Sequence, residues 1–596
     1  MSKITAIFKK HQTIVYLILI IMSAGLVYSD CLKTGLTNWD DGEQVVNNRD
    51  IRELSLAQTT KIFKSFYLGM YQPLVTSVFA LEYHFVKDAP WLYHLDNLLL
   101  HFLNIILVWL LTKQIFKKKW LALLSSAIFA IHPMGLEAVI WVSARSTLMF
   151  TSFYLLSLIF YLKYLEQSKL KYYGLMALFF ILAIFSKVLA ITLPLILLSI
   201  DYYRNRPLSK KLFLEKIPLL ALSVVFGLVA TKARNVYGGV NQSTYEYSLI
   251  NKVVVWLYSV GDYLEKLILP NRLSAYYAFP EQINGHLPWD IYLVVAGFLI
   301  ICFLLMKFRK YKILVFLGLF YLINLAPTVQ IKMFSNTVIA DRYTYLAGLS
   351  VIWLIAFTCE KIIATKPRYK KIAVIFMICY LVMLGLITAN RTEVWQNNFI
   401  FWQRAVDQYP YDSFALSALG GAYYEFKYYD KTLEYLERAI KINSRNSDAF
   451  SKLGSLYAEK RKYEQAIEYY NKAVAINPSK SIYYYNRACA IAAIGDQAGA
   501  LVDYEWAIKT SKPTDEFLDN YYLAMANTKY KLKDFAGAIL AYDTAIPLVE
   551  NTGEAYFFRS LSKLNLKKHI EGCQDLAQAD KLGYGDAKEA YTKFCK

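Results

Sequence analysis

Two adjacent carboxylates, Asp40 and Asp41, stand in the stretch LTNWDDGEQVVNN, directly after the apolar run TIVYLILIIMSAGLVYS. A carboxylate pair placed where a chain leaves a membrane is suited to proton transfer at the bilayer surface. Further along, acid, base and cation types recur at the ends of apolar runs. His132, Glu137 and Arg145 lie in HPMGLEAVIWVSAR, Lys187 in FSKVLAITLP, Lys332 in QIKMF, and Asp341 with Arg342 in ADRYTYLA. Gathered on one face, these types meet the needs of glycosyl or phosphoryl transfer from a lipid carrier. A carboxylate takes the acceptor's proton, and Arg or Lys holds the departing phosphate. Each residue also has a structural use. Asp40 and Asp41 before Gly42 can form a solvated turn, and His132 before Pro133 can end a span. Glu137 can pair with Arg145, Lys187 can snorkel to the interface, and Asp341 with Arg342 can anchor there.

The elements that must position these side chains are membrane helices. The chain of 596 residues is 56% hydrophobic and 19% charged, with a mean hydropathy of +0.29. Several runs reach the ~18 residues that a spanning helix needs, with almost no charge. The first run lacks a small-residue cleavage site and reads as an anchor. The basic loops KITAIFKKHQ, TKQIFKKKW, EQSKLKYY, DYYRNRPLSKK, KFRKYK and KPRYKK set the orientation: they face the cytoplasm, which puts all the residues above outside. If NKVVVWLYSVGDYLEKLIL crossed, KFRKYK and KPRYKK would both turn outward. It therefore reads as a helix lying in or dipping into the outer face, as its Asp262, Glu265 and Lys266 also suggest. The later spans fall near 288–306, 312–327, 344–362 and 372–390, for a total of about eleven, with the C-terminal third outside. The net charge of +20 belongs to this part, since the last third is close to neutral. Anionic lipid and an anionic ligand fit that charge; nucleic acid does not, for want of a soluble basic face. Seven cysteines form no CxxC or Cys/His cluster, so neither disulfide staples nor zinc are expected.

From residue 413 the sequence repeats. SFALSALGGAYYEFKYYDKTLEYLERAIKINSRN is followed by SDAFSKLGSLYAEKRKYEQAIEYYNKAVAINPSK, with Gly420 and Gly454 in equivalent places and Ala439, Ala473 and Ala507 in register. After an insertion near KPTDE, Ala545 and Ala579 restore the spacing. Leu453, Gly454, Tyr457, Ala466, Tyr470, Ala473 and Pro478 fit the tetratricopeptide pattern, and about five such repeats stack into a short superhelix. Tyr483 to Tyr485 read as packing. The predicted fold is all-α: a membrane domain over 1–392, a connecting helix over 393–412 and a tetratricopeptide-repeat α-solenoid over 413–596.

In these motifs the chain resembles the transmembrane and tetratricopeptide repeat-containing O-mannosyltransferases of the GT-C superfamily, relatives of the protein O-mannosyltransferases. WDDGEQVVNN is similar to the family's aromatic-Asp-Asp motif. YQPLVTSVFALEYHF and YHLDNLLLHFLN are similar to its Y-R-P-L and Y-H-x-x-N-x-x-x-H segments, with Gln72 where Arg is usual. HPMGLEAVIWVSARSTLM, FSKVLAITLP, LILPNRLSAYY, ADRYTYLA and NRTEVWQNNFIFWQRAV follow in the family's order. The resemblance implies a GT-C membrane domain of about eleven spans. It also implies an inverting glycosyltransferase that moves a sugar, mannose by analogy, from a polyprenyl-phosphate donor to Ser or Thr of a protein. Asp40 would be the general base, with Asp41 supporting it or placing the acceptor. Arg145, Arg342, Lys187 and His132 would face the donor phosphate, and Glu137, Asp341 and Lys332 would support the site. No cofactor or metal is required by that scheme. The expected partners are the lipid-linked donor, membrane lipids and an acceptor polypeptide held by the repeats. Short loops and a compact array point to a bacterial inner membrane ahead of the endoplasmic reticulum. The competing readings are a non-catalytic membrane-anchored scaffold and a transferase acting on lipid or polysaccharide.

Overall fold

The computed structural model describes residues 2–37, 39–236, 247–282, 285–328, 337–512, 515, 517–549 and 552–595, the side chains of 2–10 and 367 excepted. Among the described residues the regular elements are helices, with no β-strand. The chain divides into two compact units, Met1–Gln408 and Tyr409–Lys596. The expected connecting segment is thus split: its helix Asn398–Gln408 belongs to the first unit.

In the first unit, five helices are long and apolar enough to cross a membrane: Pro90–Phe116, Val142–Gln167, Lys210–Val236, Trp289–Lys307 and Lys370–Trp395. Two bent pairs meet the same measure when each is taken as one element, Lys119–Ile131 with Pro133–Ile140 and Asp341–Ala347 with Leu349–Thr365, broken at 58° and 56°. Shorter apolar helices, His11–Val27, Leu170–Ser186, Val188–Tyr203 and Lys312–Thr328, lie where the remaining crossings are expected. The Leu249–Ile268 helix is not among these candidates; its Asp262 and Lys266 pair at 2.6 Å on a buried face.

Each break has a local cause. Pro133 has no N–H to continue the helix that ends at Ile131. At the second break Gly348 folds so tightly that an added Cβ would lie 2.7 Å from the Thr344 carbonyl and 2.8 Å from Leu267. The Pro90–Phe116 helix locks the first broken span with polar groups three to four residues apart. Asn97 donates to the Val139 and Trp141 carbonyls at 3.2 and 3.1 Å. His101 bridges the Tyr345 hydroxyl and the Ala130 carbonyl at 2.7 and 3.0 Å. Asn104 donates to the Leu148 carbonyl at 3.1 Å. Buried polar groups must find partners, and for Asn97 and His101 these include backbone carbonyls beside the break.

The second unit is five antiparallel helix pairs running from Ser413–Glu425 to His569–Lys581, with Ala587–Phe594 laid on the end. Ala439, Ala473, Ala507, Ala545 and Ala579 are fully buried at the helix crossings. A Cβ on Gly454 would meet the Tyr470 ring at 2.6 Å, so the signature glycine lets the two helices touch. Lys427, Arg461, Gly495, Lys533 and Lys567 occupy the turn of each pair with positive φ. Their spacing reproduces the repeat and its one insertion. The sequence carried no expectation of disulfides, and the structure corrects this: Cys573 is bonded to Cys595, tying the terminal helix to the last repeat. Two cysteines 22 residues apart make no spacing motif, which is why pattern alone missed them.

Candidate functional site

Asp40 and Asp41 follow one another in the chain and end in different environments. The Asp41 side chain is 1% exposed. Its Oδ2 accepts from the Thr37 N–H and hydroxyl, both at 2.9 Å. Its Oδ1 accepts from the Ser143 N–H at 2.8 Å and from the Ser143 hydroxyl. Ser143 sits in the turn between Leu136–Ile140 and Arg145–Gln167, so Asp41 fastens its own loop to the turn that follows the first bent pair. Four hydrogen bonds use its acceptor capacity. Asp40 is half-buried, and among the described residues its carboxylate accepts no hydrogen bond. Burial pushes its carboxyl up to about 7; the Arg342 guanidinium pulls it back, while Glu43 and Asp41 push it further up.

The loop carrying Asp40 is held by aromatic stacking. Trp39 lies on Trp402 of the Asn398–Gln408 helix, with ring centres 5.1 Å apart and planes at 24°. Phe401 and Tyr276 close around it at 5.5 and 6.0 Å.

Arg342 comes from the second broken span and meets the first through Glu137, whose carboxylate accepts from its backbone N–H at 2.8 Å and from its guanidinium. The short arms of the two bent helices therefore join by one ion pair. Tyr343 has a cation on each account: Arg342 lies 4.9 Å and the Lys187 ammonium 5.7 Å from its ring centre. Lys187 follows the Leu170–Ser186 helix and donates to the Thr147 hydroxyl at 2.7 Å. Burial, with the nearby Arg342 charge, brings its ammonium down to about 7, against the pull of Glu137. Asp40, Arg342, Lys187 and Glu137 thus form one electrostatically linked group.

The other expected site residues are placed differently. Arg145 is 0% exposed and fully engaged. It donates to Asn97 Oδ1 at 2.8 Å, to the Tyr93 carbonyl at 2.6 Å and to the Glu82 carboxylate, and lies over the Phe79 ring. The pairing of Glu137 with Arg145 is not formed: Glu82 holds Arg145 and Arg342 holds Glu137. In His132, Nδ1 accepts from the Met134 N–H at 3.2 Å, which leaves Nε2 to donate to the Leu267 carbonyl at 3.1 Å. One ring nitrogen thus serves the break in the helix and the other the end of the Leu249–Ile268 helix. Asp341 accepts from the Tyr277 hydroxyl at 2.8 Å and pairs with Arg391 at 2.9 Å, so it braces Arg342 from behind. Lys332 lies outside the described residues. Glu82 and Arg391 were not singled out in the sequence; a charge inside an apolar stretch was the available signal. Among the described residues no group of three or more His, Cys, Asp or Glu is placed to hold a metal ion.

Parts of the chain are similar to known proteins. Residues 73–233 match the dolichyl-phosphate-mannose-protein mannosyltransferase family and residues 447–480 the tetratricopeptide repeat family. The protein O-mannosyl-transferase F38B6.6 of Caenorhabditis elegans is 25% identical over 67% of this chain and 59% of its own length. The Xenopus laevis protein O-mannosyl-transferase tmtc2 is 33% identical over 21% of this chain and 16% of its own, and human TMTC1 is 29% identical over 22% and 16%. The chain thus spans 59% of the worm relative and a much smaller part of the vertebrate ones. Among solved structures, YrrB, described as a TPR protein with an unusual peptide-binding site, aligns with 32% of this chain and 97% of its own at 12% identity and a TM-score of 0.29. MamA aligns with 30% and 94% at 19% identity and a TM-score of 0.26.

Proposed function

We propose that this tetratricopeptide-repeat-containing, O-mannosyltransferase-like membrane protein transfers a sugar, mannose by family likeness, from a polyprenyl-phosphate donor to a Ser or Thr hydroxyl of a protein on the extracytoplasmic face. The observation that carries the reading is the contrast between the two neighbouring carboxylates. Asp41 is saturated by four hydrogen bonds, whereas Asp40 keeps an open carboxylate beside Arg342.

In the reaction, the acceptor oxygen attacks the anomeric carbon as its proton passes to Asp40. The bond from that carbon to the phosphate oxygen breaks with inversion, and the polyprenyl phosphate leaves with the electron pair. A base whose pKa is near 7 can take the proton and give it up again near neutral pH. Charge on the leaving phosphate is offset by Arg342 and Lys187, each such contact contributing about 2–4 kcal/mol in a water-poor site. Glu137 and Asp341 fix Arg342; Arg145 and His132 serve the scaffold around it. The repeats hold the acceptor polypeptide. The Cys573–Cys595 disulfide supports an oxidising, extracytoplasmic side for them.

The test is transfer of label from radiolabelled polyprenyl-phosphate mannose to an added acceptor protein by the purified full chain, beside Asp40→Asn. Label on protein that disappears in the variant supports the reading. Label on lipid or glycan moves the acceptor out of the protein class. No transfer and no donor binding, with the chain folded, leaves the scaffold.

A further inference from the structure

The Leu349–Thr365 and Lys370–Arg391 helices form a hairpin closed by Lys366 and the short turn Pro367–Tyr369. Next to this turn the two helices line an open groove of about 580 Å³. Thr358, Cys359, Ile362, Ala373 and Phe376 line it. Lys366 and Tyr369 stand at the mouth. From Lys366 to Leu354 the groove follows about 18 Å of helix, close to the depth of a single leaflet. Around the mouth the segment KIIATKPRYKK brings Lys361, Lys366, Arg368, Lys370 and Lys371 with no acid among them. All five are exposed, and none of them forms an ion pair among the described residues. The neighbouring acid, Glu360, is taken by Lys118 at 2.7 Å.

We infer that this groove is a binding site for one anionic phospholipid, its phosphate at the Lys366–Lys371 cations and an acyl chain laid along Cys359 and Ala373. A groove of one-leaflet length, apolar inside and cationic only at the leaflet surface, matches such a lipid at both ends. A zwitterionic lipid would gain the apolar contact but little from the uncompensated charge. The two helices lead at their other ends to Asp341 and Arg391, the ion pair behind Arg342. The lipid therefore sits where it steadies the hairpin that carries the site.

The inference does not depend on the transferase reading and is tested by labelling. The full chain is placed in phosphatidylcholine nanodiscs holding a small share of either phosphatidylglycerol or phosphatidylcholine with a photoreactive acyl chain, and crosslinked peptides are mapped. The glycerol probe should label residues 354–377 several-fold more than the choline probe. Lys366→Gln/Lys370→Gln/Lys371→Gln should remove most of that preference. Ala373→Trp should suppress labelling by both probes there, with thermal unfolding unchanged. Equal labelling by the two probes, a preference that survives the triple variant, or labelling untouched by Ala373→Trp would each overturn it.

Discussion

Glu137 holds Arg342 twice, by its backbone N–H at 2.8 Å and by its guanidinium. One carboxylate thus fixes both the path of the second broken helix and the direction of its cation. The guanidinium lies over the Trp141 and Tyr343 rings, and its charge is felt at Asp40.

Replacing that carboxylate should show in catalysis before stability. Glu137→Gln keeps an acceptor for the backbone N–H but removes the charge that orients the guanidinium. A hydrogen bond to a charged group contributes about 1.5–3 kcal/mol, so kcat/KM should fall roughly ten- to hundredfold. Steady-state transfer beside a thermal unfolding curve checks this; an unchanged kcat/KM would separate Arg342 from the reaction.

The two aspartates should part company on substitution. Asp40→Asn should lower kcat by about 10²–10⁴, the range for loss of a general base, without lowering stability. Asp41→Asn should cost about 1–3 kcal/mol of stability, because one amide oxygen cannot replace both carboxylate oxygens and its NH₂ faces donors. Denaturant unfolding of both variants, with kcat measured on each, distinguishes base from brace. The reverse pattern would exchange their roles.

The pH profile follows from the same groups. Asp40 must be ionised to accept a proton, so activity should rise with pH through about 7. Lys187 must be protonated to offset the phosphate, so activity should fall as pH passes about 7. The product is a narrow bell centred near neutrality. Lys187→Arg, which stays charged, should flatten the alkaline limb. The sign for stability is the opposite of a salt-bridged carboxylate. The folded pKa of Asp40 is raised above the unfolded value of about 3.9, so its contribution is present at low pH and lost as pH rises through about 7. At pH 8, Asp40→Asn should therefore unfold at no lower temperature than the parent chain.

Arg145 should behave as a scaffold residue. Arg145→Ala leaves Glu82 buried without its counter-charge, which costs about 3–5 kcal/mol and lowers the yield of folded protein. Donor affinity measured on whatever folds should match the parent. A selective loss of donor binding in a stable variant would return Arg145 to the phosphate site.

The disulfide offers a measurement that needs no substrate. Closing a 22-residue separation contributes about 3 kcal/mol, so Cys573→Ser or a reductant should unfold the last repeat at lower denaturant. Alkylation without reduction should modify the other five cysteines under denaturing conditions and spare Cys573 and Cys595.

Legibility in the sequence followed the range of each interaction. The repeats were readable because Gly454 and Tyr470, or Ala439 and Ala473, recur at a fixed local spacing that packing enforces. The Asp40 loop stood out because ionised groups at a membrane boundary are rare. What could not be read was the choice of partner. Glu137 lies 8 residues from Arg145 and 205 from Arg342, yet pairs with the distant one, because the breaks at Pro133 and Gly348 turn the two arms toward each other. His132 shows the same limit. Its type suited an anion site, but the imidazole is used by the Met134 N–H at the break and by the Leu267 carbonyl of another helix.

A stack of identical units has no inherent last member: the surface that receives Ala587–Phe594 is also the kind that receives another repeat. On this chain that surface, around Phe557, Leu576 and Ala579, is sealed by a covalent latch. With the latch opened, packing alone would hold the terminal helix over this apolar plate, so in a reducing compartment the end of the stack would become its weakest point.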